Sequence, residues 1–113
     1  MVSNKPYNQT EGVYQSTLVN YVDSFYGQRP GWPTKPDPCG VQYVLEKLNT
    51  RGLVYVGDSE VDIATGKNAG LPAIGVTWGM KTKEFLKEHG ADIIVDSPAE
   101  LTKIILEILD KQE

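Results

Sequence analysis

The fold of this chain is decided by one ten-residue stretch, which reads Leu53-Val54-Tyr55-Val56-Gly57-Asp58-Ser59-Glu60-Val61-Asp62. The four apolar residues 53–56 predict a strand that is buried on both faces, as in a parallel sheet. Gly57 lets the backbone turn, and Ser59 is a favourable N-cap for a following helix. This order of strand, turn and helix predicts that Asp58 lies at the carboxyl end of the strand.

Two carboxylates of this stretch are candidate metal ligands. Asp62 follows Asp58 by four residues, so one helical turn would bring both to the same side. In open α/β sheets, ligands bind beyond the carboxyl ends of the strands, and magnesium prefers oxygen ligands while keeping several waters. The pair therefore predicts a magnesium site. The alternative is that Asp58 is only a helix cap and Asp62 only a first-turn acid favoured by the helix dipole.

Strands and helices alternate from residue 52 onward. The predicted strands are residues 53–56, 71–77 and 91–95, and the predicted helices are residues 59–69, 81–89 and 98 onward. Gly70 and Gly90 follow helices at the C′ position, and Ser97 with Glu100 forms a capping box. The alternation predicts an α/β fold with a doubly wound parallel sheet and right-handed crossovers.

The first half of the chain gives weaker signals. Residues 1–3 predict the end of a short strand, residues 12–22 a loose helix, and residues 24–27 a second short strand. A proline-rich loop over residues 28–38 holds Lys35 in a stiff segment. Asp37 is then predicted to cap a helix whose apolar positions repeat with helical spacing, at Val41, Val44, Leu45 and Leu48.

Composition limits the classes of function. The 113-residue chain has a net charge of −4, which disfavours nucleic acid and anionic membrane surfaces as partners. It contains neither an apolar run near the ~20 residues of a membrane helix nor the apolar core of a signal peptide. Its single cysteine, Cys39, excludes an internal disulfide and fits a reducing compartment. We therefore expect a cytoplasmic protein, with residues 1–113 in one domain and His89 as a last-turn residue of its helix.

Four segments, in this order and spacing, resemble the haloacid dehalogenase superfamily, most of all its phosphoglycolate-phosphatase-like branch. They are Ser3-Asn4-Lys5-Pro6, Gly27-Gln28-Arg29-Pro30-Gly31, Lys35-Pro36-Asp37-Pro38 and Val56-Gly57-Asp58-Ser59-Glu60-Val61-Asp62. The resemblance extends to residues 70–79, which end in a predicted turn at Trp78-Gly79. The resemblance implies a Rossmann-like core and magnesium-dependent hydrolysis of a small phosphorylated metabolite. It also implies that Ser3 and Asn4 bind phosphate, that Lys35 binds phosphate and acts in catalysis, and that Asp58 and Asp62 hold Mg²⁺.

The chain departs from this family in one respect. The Asp-x-Asp motif, which supplies the nucleophile and the general acid, does not occur in the sequence, and neither does a cap domain. We therefore expect a partial domain, the carboxy-terminal half of the catalytic core, which is inactive alone. We expect the sheet edge beside residues 53–56 either to take up a shifted amino-terminal segment or to pair with a second copy in a homodimer. The alternatives are a non-catalytic remnant that binds phosphate and metal or serves in assembly, and, more weakly, a receiver-like domain.

Overall fold

The computed structural model describes residues 2–6, 26–28 and 33–111, which fall into two compact units, Met1–Arg51 and Gly52–Glu113. The amino-terminal unit contains β1 (Val2–Pro6), β2 (Tyr26–Gln28) and α1 (Cys39–Leu48). The carboxy-terminal unit contains β3 (Tyr55–Gly57), α2 (Glu60–Asn68), β4 (Ala73–Val76), α3 (Lys83–Glu88), β5 (Ile93–Val95) and α4 (Pro98–Lys111).

In the amino-terminal unit, β1 and β2 pair in parallel. The prediction that the chain leaves the first strand after Ser3 was wrong, because β1 continues to Pro6, which lies opposite Gln28 of β2. Strand ends depend on the pairing partner, and a proline is tolerated there because its missing N–H falls at the end of the ladder. The helix predicted over residues 12–22 lies outside the described residues.

The predicted start of α1 was one residue too early, because the N-cap is Pro38, which makes no side-chain cap hydrogen bond. Asp37 precedes the N-cap, and its Oδ1 accepts a hydrogen bond from the backbone N–H of Cys39 at 2.8 Å. The helix ends at Asn49, whose φ of 51° is left-handed, and the N–H of Thr50 donates to the carbonyl oxygen of Leu45.

The carboxy-terminal unit is a doubly wound parallel sheet, as the sequence predicts. Its strands lie in the order β3-β4-β5, with all pairs parallel. On one face, Ile63 of α2 and Leu86 of α3 pack with Ala73. On the other face, Ile74 and Val95 pack against α4. Successive residues of β4 thus point to opposite helical layers.

Burial was predicted for the strand of residues 53–56, but the fully buried strand is β4. All four residues of β4 are buried, whereas β3 spans Tyr55–Gly57 instead of residues 53–56 and its Val56 is 38% exposed. The expectation of a strand buried on both faces was therefore wrong for β3. The reason is its place at the edge of the three-stranded sheet.

The helix signals of this unit were mostly correct. Gly70 and Gly90 follow α2 and α3 with φ of 76° and 93°. Ser97 Oγ accepts the N–H of Glu100 at 3.2 Å, so the predicted cap of α4 forms. In α4, Ile108 packs on the core, whereas Leu109, about 100° around the helix from it, is 43% exposed.

A side chain joins the start of β4 to the start of β5. The N–H of Asp92 donates to the carbonyl oxygen of Ala73, and the N–H of Ala73 donates to Oδ2 of Asp92 at 2.8 Å. Nζ of Lys67 lies 3.5 Å from Oδ1 of the same carboxylate. Asp92 thus links both strands to α2.

No helix within the described ranges combines the length and the apolar character needed to cross a membrane.

Candidate functional site

The turn between β3 and α2 carries the two candidate carboxylates. Asp58 directly follows the last residue of β3, and Ser59 is the N-cap of α2 with an extended φ of −138°. Oγ of Ser59 accepts the N–H of Asp62 at 3.4 Å, which satisfies one of the first helical N–H groups. Both predictions for this turn, the strand-end aspartate and the serine cap, are confirmed.

Asp62 points back into the turn. Its Oδ2 accepts the backbone N–H of Asp58 at 3.1 Å and the hydroxyl of Ser59 at 3.1 Å, and the residue is only 8% exposed. A Cβ at position 57 would overlap the Asp62 side chain, so Gly57 is required for this close approach. The carboxylate of Asp62 therefore fixes the backbone from which Asp58 projects.

The carboxylate of Asp58 lies at the edge where β3 and β4 end. Asp58 is exposed, and its side chain rests against the backbone of Gly79, three residues after β4. A Cβ at position 79 would overlap the carboxylate of Asp58. One side of this carboxylate is thus held by a neighbouring loop, while the residue remains open to solvent.

The loop of residues 77–82 is anchored on both sides of Gly79. Oγ1 of Thr77 donates to Oδ1 of Asp96 at 2.9 Å. Nζ of Lys81 lies 3.9 Å from Oε2 of Glu60, in the first turn of α2. The sequence predicted a turn at residues 78 and 79, at the end of a segment that resembles the family, but assigned them no role in the site. The signal that was missed is that they follow a strand whose carboxyl end meets that of β3.

The hydroxyl of Tyr55, in β3, has a shifted pKa. Burial, and in second place the negative charge of Asp62, raise the pKa of the Tyr55 hydroxyl well above its ordinary value. The phenol of Tyr55 therefore stays protonated and neutral at a pH near 7. The Cβ of Tyr55 lies beside Gly66 of α2, and a Cβ added at position 66 would be too close to it.

Asp58 fits a magnesium ion better than Asp62 does. Magnesium is usually bound by one or two carboxylates, with waters and substrate phosphate completing its octahedron. Asp58 offers a carboxylate in an open position, whereas Oδ2 of Asp62 already accepts two hydrogen bonds. In the part of the chain that the structure describes, His, Cys, Asp and Glu form no group of three or more that could hold a metal. The donor set thus suits a hydrated ion held mainly by Asp58.

The predicted phosphate-binding residues lie in the amino-terminal unit. Ser3 and Asn4 lie within β1. Lys35 precedes α1, is half-buried, and is joined to Pro36 by a cis peptide bond. The structure therefore brings Asp58 and Asp62 together, and the roles of Ser3, Asn4 and Lys35 stay predictions.

Comparison with known proteins gives consistent matches. A family model of HAD-hydrolase-like proteins matches residues 33–101. Phosphoglycolate phosphatase of Vibrio vulnificus is 30% identical over 109 residues, which are 94% of this chain and 48% of the relative. Pyrophosphatase PpaX of Listeria welshimeri is 34% identical over 111 residues, 93% of this chain and 50% of the relative. The chain spans about half the length of the curated relatives that it matches.

Solved structures agree with the fold. A crystal structure from Lactobacillus delbrueckii subsp. bulgaricus, provisionally named phosphoglycolate phosphatase, superposes with a TM-score of 0.87 at 34% identity. It covers 92% of this chain and 44% of that protein. A HAD-superfamily hydrolase from Ehrlichia chaffeensis, at 22% identity and a TM-score of 0.64, covers 88% of this chain and 44% of its own. This second match bears on the fold alone.

Proposed function

Because the chain belongs to the HAD-like hydrolase family, we propose that it forms the magnesium- and phosphate-binding half of a phosphomonoesterase. The observation that supports this most is the open carboxylate of Asp58 at the end of β3, seated against Gly79 and built on a turn that Asp62 holds. Ligands of open α/β sheets bind at this edge. The substrate is a phosphate monoester, and its phosphoryl group is the part that these residues recognise.

The roles of the residues follow from the charge that a transferred phosphoryl group spreads over its oxygens. Ser3 and Asn4 would donate hydrogen bonds to these oxygens, and Lys35 would hold the phosphate beside the attacking group with a fixed positive charge. Asp58 would hold Mg²⁺, which when bound neutralises charge on the phosphoryl oxygens. Asp62 orients Asp58 through the backbone and lies behind it, as a residue that supports a ligand does.

None of the residues of this chain is proposed as the carboxylate that attacks phosphorus. The sequence holds no Asp-x-Asp segment, so we propose that the 113-residue chain binds metal weakly and does not turn over phosphate esters alone. One or two carboxylates without a further fixed anionic ligand leave magnesium mostly hydrated.

The substrate class is proposed from relatives. One group of relatives is named phosphoglycolate phosphatase and another pyrophosphatase. By name, the first group acts on phosphoglycolate and the second on pyrophosphate. Phosphoglycolate is our first candidate, since it is the phosphate monoester of the two. We also propose a cytoplasmic location, which the single cysteine Cys39 supports. A homodimer through the edge of β3 that does not face β4 is proposed in addition.

A chimera tests the proposed activity. The amino-terminal half of the Vibrio vulnificus phosphoglycolate phosphatase is fused before Met1, and phosphate release is measured from phosphoglycolate, pyrophosphate and p-nitrophenyl phosphate with and without magnesium. We expect magnesium-dependent release by the chimera and none by the 113-residue chain. Asp58→Asn and Lys35→Met should each lower kcat by about 100-fold, the usual effect of losing one electrostatic group of an active site.

Lys83→Met is the matched control for Lys35, since it removes the same charge from the exposed surface of α3. It should leave kcat unchanged. Magnesium-dependent turnover by the 113-residue chain, abolished by Asp58→Ala, would contradict the proposal that this chain lacks the nucleophile and is inactive alone. An active chimera that tolerates Asp58→Asn would contradict the metal role of Asp58.

A further inference from the structure

The loop after β4, residues 77–82, reaches the candidate metal ligand from a different strand. We propose that this loop positions the carboxylate of Asp58 for a divalent cation. The backbone of Gly79 supports the carboxylate and is called the seat here, and the Lys81–Glu60 ion pair holds the loop in place and is called the tether. The inference rests on the metal site of the proposed function. It adds two positioning residues: Gly79, to which the resemblance assigned no role, and Lys81, which lies outside the segments that resemble the family.

The seat is defined by shape. Asp58 is exposed, so its side chain would be free to take several rotamers if nothing lay beside it. The backbone of Gly79 closes one side, and there is no room for a Cβ between them. Gly79 therefore restricts the directions that the Asp58 carboxylate can face. A metal ligand that is already oriented loses less conformational entropy on binding.

The tether is defined by charge and burial. Oε2 of Glu60 is inaccessible to solvent and has no hydrogen-bond donor among the described residues. The ammonium group of Lys81, 3.9 Å away, is the cation that faces it. The same ammonium lies 4.8 Å from the centre of the Phe85 ring, within the range of a cation–π contact. Lys81 is thus held at two points, two residues from Gly79.

Positioning and simple electrostatics predict opposite results for Lys81. If Lys81 acted only through its charge, removing it would strengthen cation binding at Asp58, since a repelling charge is lost and Glu60 is left unpaired. If Lys81 positions the loop, removing it lets Gly79 withdraw from Asp58, and cation binding weakens. The sign of the change therefore separates the two explanations.

The experiment uses the 113-residue chain, labelled with ¹⁵N and titrated with Mn²⁺ as a paramagnetic probe. Broadening of the amide signals of Asp58 and Gly79 reports the occupancy of the site without any enzymatic activity. We expect Gly79→Ala to weaken Mn²⁺ binding by about tenfold and Lys81→Gln by about threefold, the latter being about 0.7 kcal/mol at 1.4 kcal/mol per tenfold. Lys81→Arg, which keeps the charge and the reach, should bind as the wild type does.

Matched controls test the loop and the charge separately. Met80→Ala changes a side chain of the same loop that is 96% exposed, and it should bind Mn²⁺ normally. Lys83→Gln removes one positive charge close by without touching the Glu60 pair, and it should leave affinity equal or slightly higher. Glu60→Gln combined with Lys81→Gln keeps the net charge, and it should lose about threefold, as Lys81→Gln alone does.

The outcomes distinguish this inference from the proposed function. If Mn²⁺ broadens no signal near Asp58, or if Asp58→Asn leaves the broadening intact, the metal site and the positioning role both fail. If Mn²⁺ binds at Asp58 but Gly79→Ala and Lys81→Gln bind it as well as the wild type or more tightly, only the positioning role fails. Unchanged dispersion of the Ile74 and Val95 amide signals verifies that each variant keeps the fold.

Discussion

Replacing Asp62 with Asn should destabilise the fold, while the same change at Asp58 should not. In Asp62→Asn, two hydrogen bonds to a buried carboxylate oxygen, from the N–H of Asp58 and the hydroxyl of Ser59, become bonds to a neutral amide. Each such change costs about 1 kcal/mol, from the difference between hydrogen bonds to charged and to neutral groups. Relief from burying a charge offsets part of the sum of about 2 kcal/mol, so we expect a net loss of about 1–2 kcal/mol.

Urea unfolding followed by circular dichroism measures this difference. With an m-value of about 2 kcal/mol/M, the midpoint for Asp62→Asn should fall by about 0.5–1 M at constant m. The exposed Asp58→Asn variant should stay within about 0.5 kcal/mol of the wild type. The reasoning is refuted if Asp62→Asn unfolds at the wild-type midpoint, or if Asp58→Asn loses as much stability as Asp62→Asn.

Three further predictions concern the core, the pH response and the sheet edge. Leu86→Ala, at a fully buried site, should cost about 2–5 kcal/mol in urea unfolding, whereas Leu106→Ala, at a site 56% exposed, should cost far less; equal losses would contradict the assigned core. Because the folded state holds the Tyr55 proton more tightly than the unfolded state, stability should fall as pH rises above about 10, the ordinary tyrosine pKa. Tyr55→Phe should lessen this fall, and a Tyr55→Phe variant with the wild-type pH profile would contradict the assignment. If a second copy pairs with β3, sedimentation velocity should find a dimer that Val56→Lys weakens, and a wild-type chain that is monomeric at every concentration would exclude this pairing.

The sequence predicted what is encoded locally. Helix caps depend on a few neighbouring residues, so the roles of Ser59 and Gly70 at the ends of α2 follow correctly from the residues beside them. The alternation of strands and helices likewise predicted the doubly wound sheet of the carboxy-terminal unit.

What the sequence missed depends on pairing in three dimensions. β1 extends to Pro6 because β2 lies beside it, and Val56 is exposed because β3 is at an edge of its sheet. A run of apolar residues does not reveal which strands are neighbours. The hydrogen bonds of Asp62 to the N–H of Asp58 and the hydroxyl of Ser59 depend on the conformation of the turn, which the residue pattern does not specify. The contact of Gly79 with Asp58 joins residues 21 positions apart in the sequence, across two strands.

The bond between Asp92 and Ala73 has a consequence for how the sheet chooses its register. β4 and β5 consist of apolar residues and glycine, Ala-Ile-Gly-Val and Ile-Ile-Val, so a slip by one residue would still place apolar side chains on both faces. Hydrophobic pattern alone specifies register weakly in such strands. Asp92 supplies the missing information, since its N–H and its carboxylate together match one residue of β4 and no other. A polar residue at the start of the two strands thus fixes the register of β4 and β5, which their apolar side chains specify only weakly.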